Sequence, residues 1–243
     1  MIQSENKQPI KLILGVYLLC FIFRMFEYML IRTDRSMIGE AFIHKTIGII
    51  ILAIVIHYLH YRWADFGFIK TTVLRYTLWG LLLGVTTLLL AYGVEVGLLM
   101  MAGKPVAMRI YISSYAITGN QILQTNALFF AICVAGNIIN VLMEEGIFRG
   151  LFLKVLESRT SFLKAMLLSS LLFGFWHIAA PLRELLDGNM GGGAFLMAAL
   201  MQIFLTGIIG IKLCLLVKIT GSLWAAMADH FVNNFMVNIL HTV

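Results

Sequence analysis

The stretch from Gly136 to Arg149 reads Gly-Asn-Ile-Ile-Asn-Val-Leu-Met-Glu-Glu-Gly-Ile-Phe-Arg, two amides and two adjacent carboxylates set in an apolar run. Asn137, Asn140 and Glu144 stand at i, i+3 and i+7, which puts them on one face of a helix. Glu145 points about 100° away and meets Arg149 at i+4, a favourable order for an ion pair. One carboxylate is thereby neutralised within its own helix, and the other is left facing the space that the helix lines. Two further segments carry imidazoles. They read Phe173-Gly-Phe-Trp-His177 and Ala228-Asp229-His230-Phe-Val-Asn-Asn234, and in the second His230 and Asn234 share a face at i, i+4. A carboxylate, two imidazoles and an amide around one water molecule can take up and return a proton, which is the equipment of general acid–base chemistry.

The elements that must position these groups are membrane helices. Of 243 residues, 60% are hydrophobic and 12% charged, which removes the ordinary soluble reading. A helix needs roughly 20 apolar residues to cross about 30 Å of hydrocarbon. The expected spans are residues 10–31, 42–60, 73–101, 121–157, 162–180, 194–217 and 221–240. Inside a bilayer no water satisfies open backbone groups, and period-2 alternation is absent, so these runs are expected to be helices rather than barrel strands. The expected fold class is all-α: a polytopic transmembrane helical bundle of about seven helices (six to eight) in a single integral membrane domain, residues 1–243.

The fourth run exceeds the hydrocarbon thickness, so its polar end from Arg149 to Glu157 is expected to project into the interface. Glu144 and His177 each lie about 16 residues, or roughly 24 Å, from the turn at Ser158 to Ser161 that joins two antiparallel helices. His230 lies about ten residues, or roughly 15 Å, beyond the turn at Gly221 on the same membrane side. With helix four projecting several ångströms outward, the three groups converge at one depth.

The net charge of +6 comes from 18 Lys and Arg scattered between apolar runs, without a basic stripe interleaved with aromatics, so nucleic acid is not expected as a partner. The N-terminal tail and the loops near 61–75, 154–164 and 212–218 carry ten of them and the opposite loops six, which predicts a cytoplasmic N-terminus. Cys20, Cys133 and Cys214 lie within apolar segments and lack metal-ligand or disulfide spacing, so they read as small core residues. The apolar run after Lys7 and Lys11 has no small-residue cleavage site and continues past Arg24, which favours a retained first helix over a signal peptide.

Each polar residue taken alone has a plainer account. A membrane Asn or His is often interhelical glue, Glu145 with Arg149 reads as a structural brace, and Phe173 as packing that also sets the ring of His177. An ionisable group deep in a membrane helix costs at least ~2.5 to 3.5 kcal/mol, and it is the combination of Glu144, His177, His230 and Asn234 that favours a site. Arg24 and Glu27 at i, i+3 are expected to pair with each other, and His44, His57, His60 and His241 to sit near segment ends. Glu95 has no local partner.

At these residues the sequence resembles the CPBP family of membrane peptidases, also called the CAAX protease and bacteriocin-processing or Abi family. The resemblance covers roughly residues 120–238, through Glu144-Glu145-Gly-Ile-Phe-Arg149, Phe173-Gly-Phe-Trp-His177 and His230-Phe-Val-Asn-Asn234, and the stretch Phe204 to Asn234, containing Thr220-Gly221-Ser222-Leu223-Trp224, resembles the family's last two helices. It implies that Glu144 is a general base, that His177 assists it in activating water, and that His230 and Asn234 form an oxyanion hole. The family has also been labelled a metalloprotease, and a catalytic zinc would draw on Glu144, His177 and His230. The sequence lacks His-Glu-x-x-His, so no metal or other cofactor is expected.

The implied activity is that of an intramembrane endopeptidase, with a membrane-associated peptide or protein as substrate and the lipid bilayer as surroundings. Substrates implied by the resemblance include prenylated CAAX proteins and precursors of bacteriocins or signalling peptides. The compact length points to a prokaryotic cytoplasmic membrane. Two other functions use the same polar cavity: a small-solute transporter, for which inverted repeats are missing, and a non-catalytic immunity or binding protein.

Overall fold

The computed structural model describes residues 9–33, 41–112 and 125–243. Lys7 and residues 121–124 of the expected fourth span lie outside the described residues. The chain forms helices α1 (Pro9–Phe26), α2 (Ile43–Tyr58), α3 (Val73–Met101), α4 (Ala127–Glu144), α5 (Leu153–Glu157), α6 (Phe162–Trp176), α7 (Ala179–Leu186), α8 (Gly192–Thr220) and α9 (Leu223–Ile239). The protein is an all-α helical bundle, as its composition predicts. Among the described residues four helical runs are long and apolar enough to cross a membrane: Lys70–Met101, Ala127–Glu157, Phe162–Leu186 and Gly192–Thr220. The expected spans at 42–60 and 221–240 are shorter than drawn, with 16 residues in α2 and 17 in α9.

Three features depart from the expected layout. The long fourth element is continuous but not uniformly α-helical, because Glu145–Phe152 winds as a π-helix between α4 and α5. Small residues let this wider segment approach its neighbours: a Cβ on Gly146 would stand 2.5 Å from Leu52, and one on Gly150 3.3 Å from the Phe66 carbonyl oxygen. Ser169 of α6 donates to the Phe148 carbonyl at 2.7 Å, a second bond to an oxygen that also accepts the Leu153 N–H within the run, and so ties α6 to the π-helical segment.

Within the run Phe162–Leu186, which covers the expected fifth span at 162–180, α6 ends at Trp176 and a short helix α7 starts at Ala179. Pro181 lies in the first turn of α7, where its missing N–H costs nothing, whereas a helix continuing from α6 would need that donor. His177 is thereby placed at the end of α6 rather than in its interior. Lastly, Met108–Ile110 and Leu240–Thr242 pair as a two-stranded antiparallel ribbon beyond the ends of α3 and α9. There the Thr242 hydroxyl donates to Glu95 at 2.6 Å and Tyr92 donates to the Leu240 carbonyl at 2.6 Å, which gives Glu95 the partner that its sequence neighbours lack.

The turns between helices are where the sequence puts them. Ser161 caps α6 by accepting from the Lys164 N–H at 3.4 Å. Gly221, at φ +67°, ends α8 in the left-handed conformation that glycine adopts without strain, and Ser222 begins α9 by accepting from the Trp224 N–H at 3.4 Å. The loop after α2 fastens this corner, since the Leu223 N–H donates to the Gly67 carbonyl at 2.9 Å and the Trp224 indole to the Ile69 carbonyl at 3.0 Å. The core beneath is built from α1, α2, the π-helical segment, α6 and the start of α9, with Tyr17, Leu52, Phe148, Phe152, Trp176 and Leu223 buried in it. Outward faces such as Leu82, Leu89 and Val94 of α3 are exposed hydrophobics, as lipid contact requires.

Candidate active site

Glu144 ends α4 at the head of the π-helical segment and is only 2% exposed. Its two oxygens are held differently. The Trp176 indole N–H donates to Oε1 at 2.9 Å, and Arg24 Nη1 lies 3.8 Å from the same oxygen. Asn140, one turn back on the face predicted from the sequence, donates to Oε2 at 3.3 Å, and His230 Nε2 stands 3.7 Å from Oε2. Asn137 shares that face but turns back to donate to the Cys133 carbonyl at 2.9 Å.

His177 directs Nδ1–H to the Phe173 carbonyl at 2.8 Å, which leaves Nε2 free to accept. It is close enough to Glu144 to interact with it electrostatically, as is His230. The depth estimate from the turn at Ser158 to Ser161 is consistent with this: Trp176, the residue before His177, touches Glu144 directly. His230, 3% exposed, is fixed from its other side by Glu145, whose Oε1 lies 2.8 Å from Nδ1. That same Oε1 accepts from Arg149 Nη1 at 3.0 Å, the predicted i, i+4 pair, with both side chains fully buried.

Glu145 therefore does more than brace its own helix, because it also orients the imidazole of α9. Phe173 lies at the centre of this group. Arg149 sits over its ring at 4.0 Å, and the rings of His177 and His230 meet it edge-on at 4.7 and 5.9 Å. Asn234 is half-buried one turn beyond His230 on α9, and among the described residues its amide makes no hydrogen bond to Glu144, His177 or His230.

Sequence reasoning missed the charge that comes from the first two helices. Arg24 does not turn to Glu27 but reaches across to Glu144, with its guanidinium 4.6 Å from the Trp176 ring and 4.8 Å from the Tyr28 ring. Glu27 instead accepts the backbone N–H groups of Ile43 at 3.0 Å and His44 at 2.7 Å, filling open positions at the start of α2. His44, expected at an interface, is 1% exposed and lies tilted against Trp176 with ring centroids 5.9 Å apart. The available signal was the cost of Arg24 in an apolar helix, and a local partner at i+3 absorbed it too readily.

The metalloprotease label can be tested on the donor set. Both Glu144 oxygens already accept from protein N–H groups. A cation bound to Glu144 would also sit against the Arg24 guanidinium. Among the described residues no three His, Cys, Asp or Glu side chains are gathered as a metal-holding group. The residues do not fit a two-histidine, one-glutamate zinc, and no reaction step is derived through one.

No curated protein and no solved structure gives a match to the chain. Residues 126–236 match the family model described as type II CAAX prenyl endopeptidase Rce1-like. That stretch carries Glu144, Glu145, Arg149, Phe173, His177, His230 and Asn234 on a helical membrane framework, and the match supports assigning this integral membrane protein to the CPBP, or CAAX protease, family.

Proposed function

We propose that the protein is an intramembrane endopeptidase in which Glu144 and His177 activate a water molecule to cleave a peptide bond of a membrane-associated substrate. Glu144 Oε2 takes a proton from water that is also held by His177 Nε2, and the hydroxide adds to the scissile carbonyl. The proton then passes from Glu144 to the departing amine, so that one water is consumed and two peptide ends are released. His230, pinned by Glu145, and Asn234 donate to the oxyanion that forms in between, a role for His230 that requires a proton on both ring nitrogens. Donors fixed in place before the charge develops stabilise it more in a dry cavity than they would in water.

The observation that carries this reading is the buried Glu144 carboxylate, with Oε1 taken by Trp176 and the His230 imidazole 3.7 Å from Oε2. Its place within the family match supports a peptide substrate, either a prenylated CAAX protein or a precursor of a bacteriocin or signalling peptide. The test compares membrane peptides, by mass spectrometry, from cells producing the wild-type protein and Glu144→Gln. One uncleaved precursor should accumulate with E144Q and again with His177→Ala. Identical peptide profiles in cells containing folded variants would rule the reading out.

A further inference from the structure

We infer that Arg24 is a positioning residue for the reaction, holding the Glu144 carboxylate so that Oε2 alone is presented as the base. The inference rests on the proposed role of Glu144. It concerns the first two helices, which lie outside the family match at residues 126–236.

Arginine has only donors, and this fixes the direction of every bond around it. Arg24 Nη1 lies 3.3 Å from His44 Nε2, so Nε2 must accept and the His44 proton resides on Nδ1. Nδ1–H then donates to Glu27 Oε2 at 2.5 Å. Glu27 is completed by the Ile43 and His44 backbone N–H groups and by the Thr33 hydroxyl. The series Glu27, His44, Arg24, Glu144 thus runs from the residue after α1 to the start of α2, back to α1 and on to the end of α4. Every member of it is buried, with Arg24 4% exposed.

The geometry at the last link is selective. Arg24 approaches Oε1, the oxygen that also accepts from the Trp176 indole, while Trp176 offers its ring face to the same guanidinium. One fixed donor, the Trp176 indole, and a guanidinium 3.8 Å away on the same side of the carboxylate oppose its rotation and leave the other oxygen toward Asn140 and His230. Arg24 is held by Tyr28, Trp176 and His44, so its own position is set before any substrate arrives. A cation placed only to offset a buried acid would not need to distinguish the two oxygens.

The test uses the full-length protein in proteoliposomes and, as substrate, the precursor that accumulates in cells making E144Q. Arg24→Gln should lower kcat on the order of tenfold or more while KM stays within about twofold, and Arg24→Lys should restore part of the loss. His44→Ala, which keeps the cation but removes its acceptor, should lower kcat by less. The pair R24Q and H44A should be no worse than R24Q alone, because His44 acts through Arg24. If R24Q does not fold, R24K and H44A read the same coupling. An unchanged kcat in R24Q or H44A, or a rise in KM alone, overturns the inference and leaves the role of Glu144 standing. An active E144Q, or no precursor at all, removes that role and the inference with it.

Discussion

At the scale of single residues, the site is a set of ionised and polar groups that the bilayer would reject one by one and accepts as a network. Glu145 and Arg149 show the principle most sharply, since both are fully buried and their opposite charges meet at 3.0 Å. Removing one partner of a buried pair leaves an uncompensated charge, which costs about 3 to 5 kcal/mol. Arg149→Ala should therefore lower the thermal unfolding temperature of the purified protein strongly, beyond what loss of side-chain packing explains. Arg149→Lys should recover little, because an ammonium cannot both meet Glu145 and lie flat on Phe173 at 4.0 Å. This pair was legible in the sequence because i, i+4 spacing is a local fact. The bond from Glu145 to His230 spans 85 positions, and the contact of Arg24 with Glu144 links the first helix to the fourth. Periodicity reports which face a residue occupies and says nothing about which helix packs there.

At the scale of elements, the helices that carry the histidines are placed by glycines. A Cβ on Gly174 of α6 would stand 2.7 Å from the Ile203 carbonyl oxygen of α8, so the helix ending at His177 packs backbone to backbone. On α3, a Cβ on Gly80 would stand 2.2 Å from the Ala225 carbonyl oxygen and 2.8 Å from Ala228, and one on Gly84 2.8 Å from Val232. These α9 residues flank His230 on the sequence, so α3 sets the height and tilt of that imidazole. Gly80→Ala should push the two helices apart, costing about 1 to 3 kcal/mol of stability, and should reduce precursor cleavage. Gly93→Ala, on the same helix with nothing within 4 Å of its Cβ, is the matched control. It should leave stability within about 0.5 kcal/mol, read from unfolding in the same detergent. The helices, their order and the turns at Ser161 and Gly221 follow from hydropathy and capping residues. The π-helical winding of Glu145–Phe152 does not, because it depends on Gly146 and Gly150 meeting Leu52 and the Phe66 carbonyl from other parts of the chain.

At the scale of the whole molecule, the residues within the family match and the residues that stand behind Glu144 come from different parts of the chain. The family match begins at residue 126, yet Arg24, Glu27 and His44 stand behind Glu144, and α3 carries the close contacts to α9. Membrane helices insert individually before they associate, so the two parts can be produced as separate polypeptides, residues 1–125 and 126–243. The second polypeptide alone holds every residue of the family motifs and should still fail to cleave the precursor, because Glu144 would lack its cation and α9 its packing partner. Producing both together should restore cleavage, and an Arg24→Gln change in the first polypeptide should lower the restored rate by the same factor as in the intact chain. If residues 126–243 cleave as fast alone as within the intact chain, the first three helices serve only as lipid-facing cover. The electrostatic account of the site would then have to be rebuilt from α4, α6 and α9 alone.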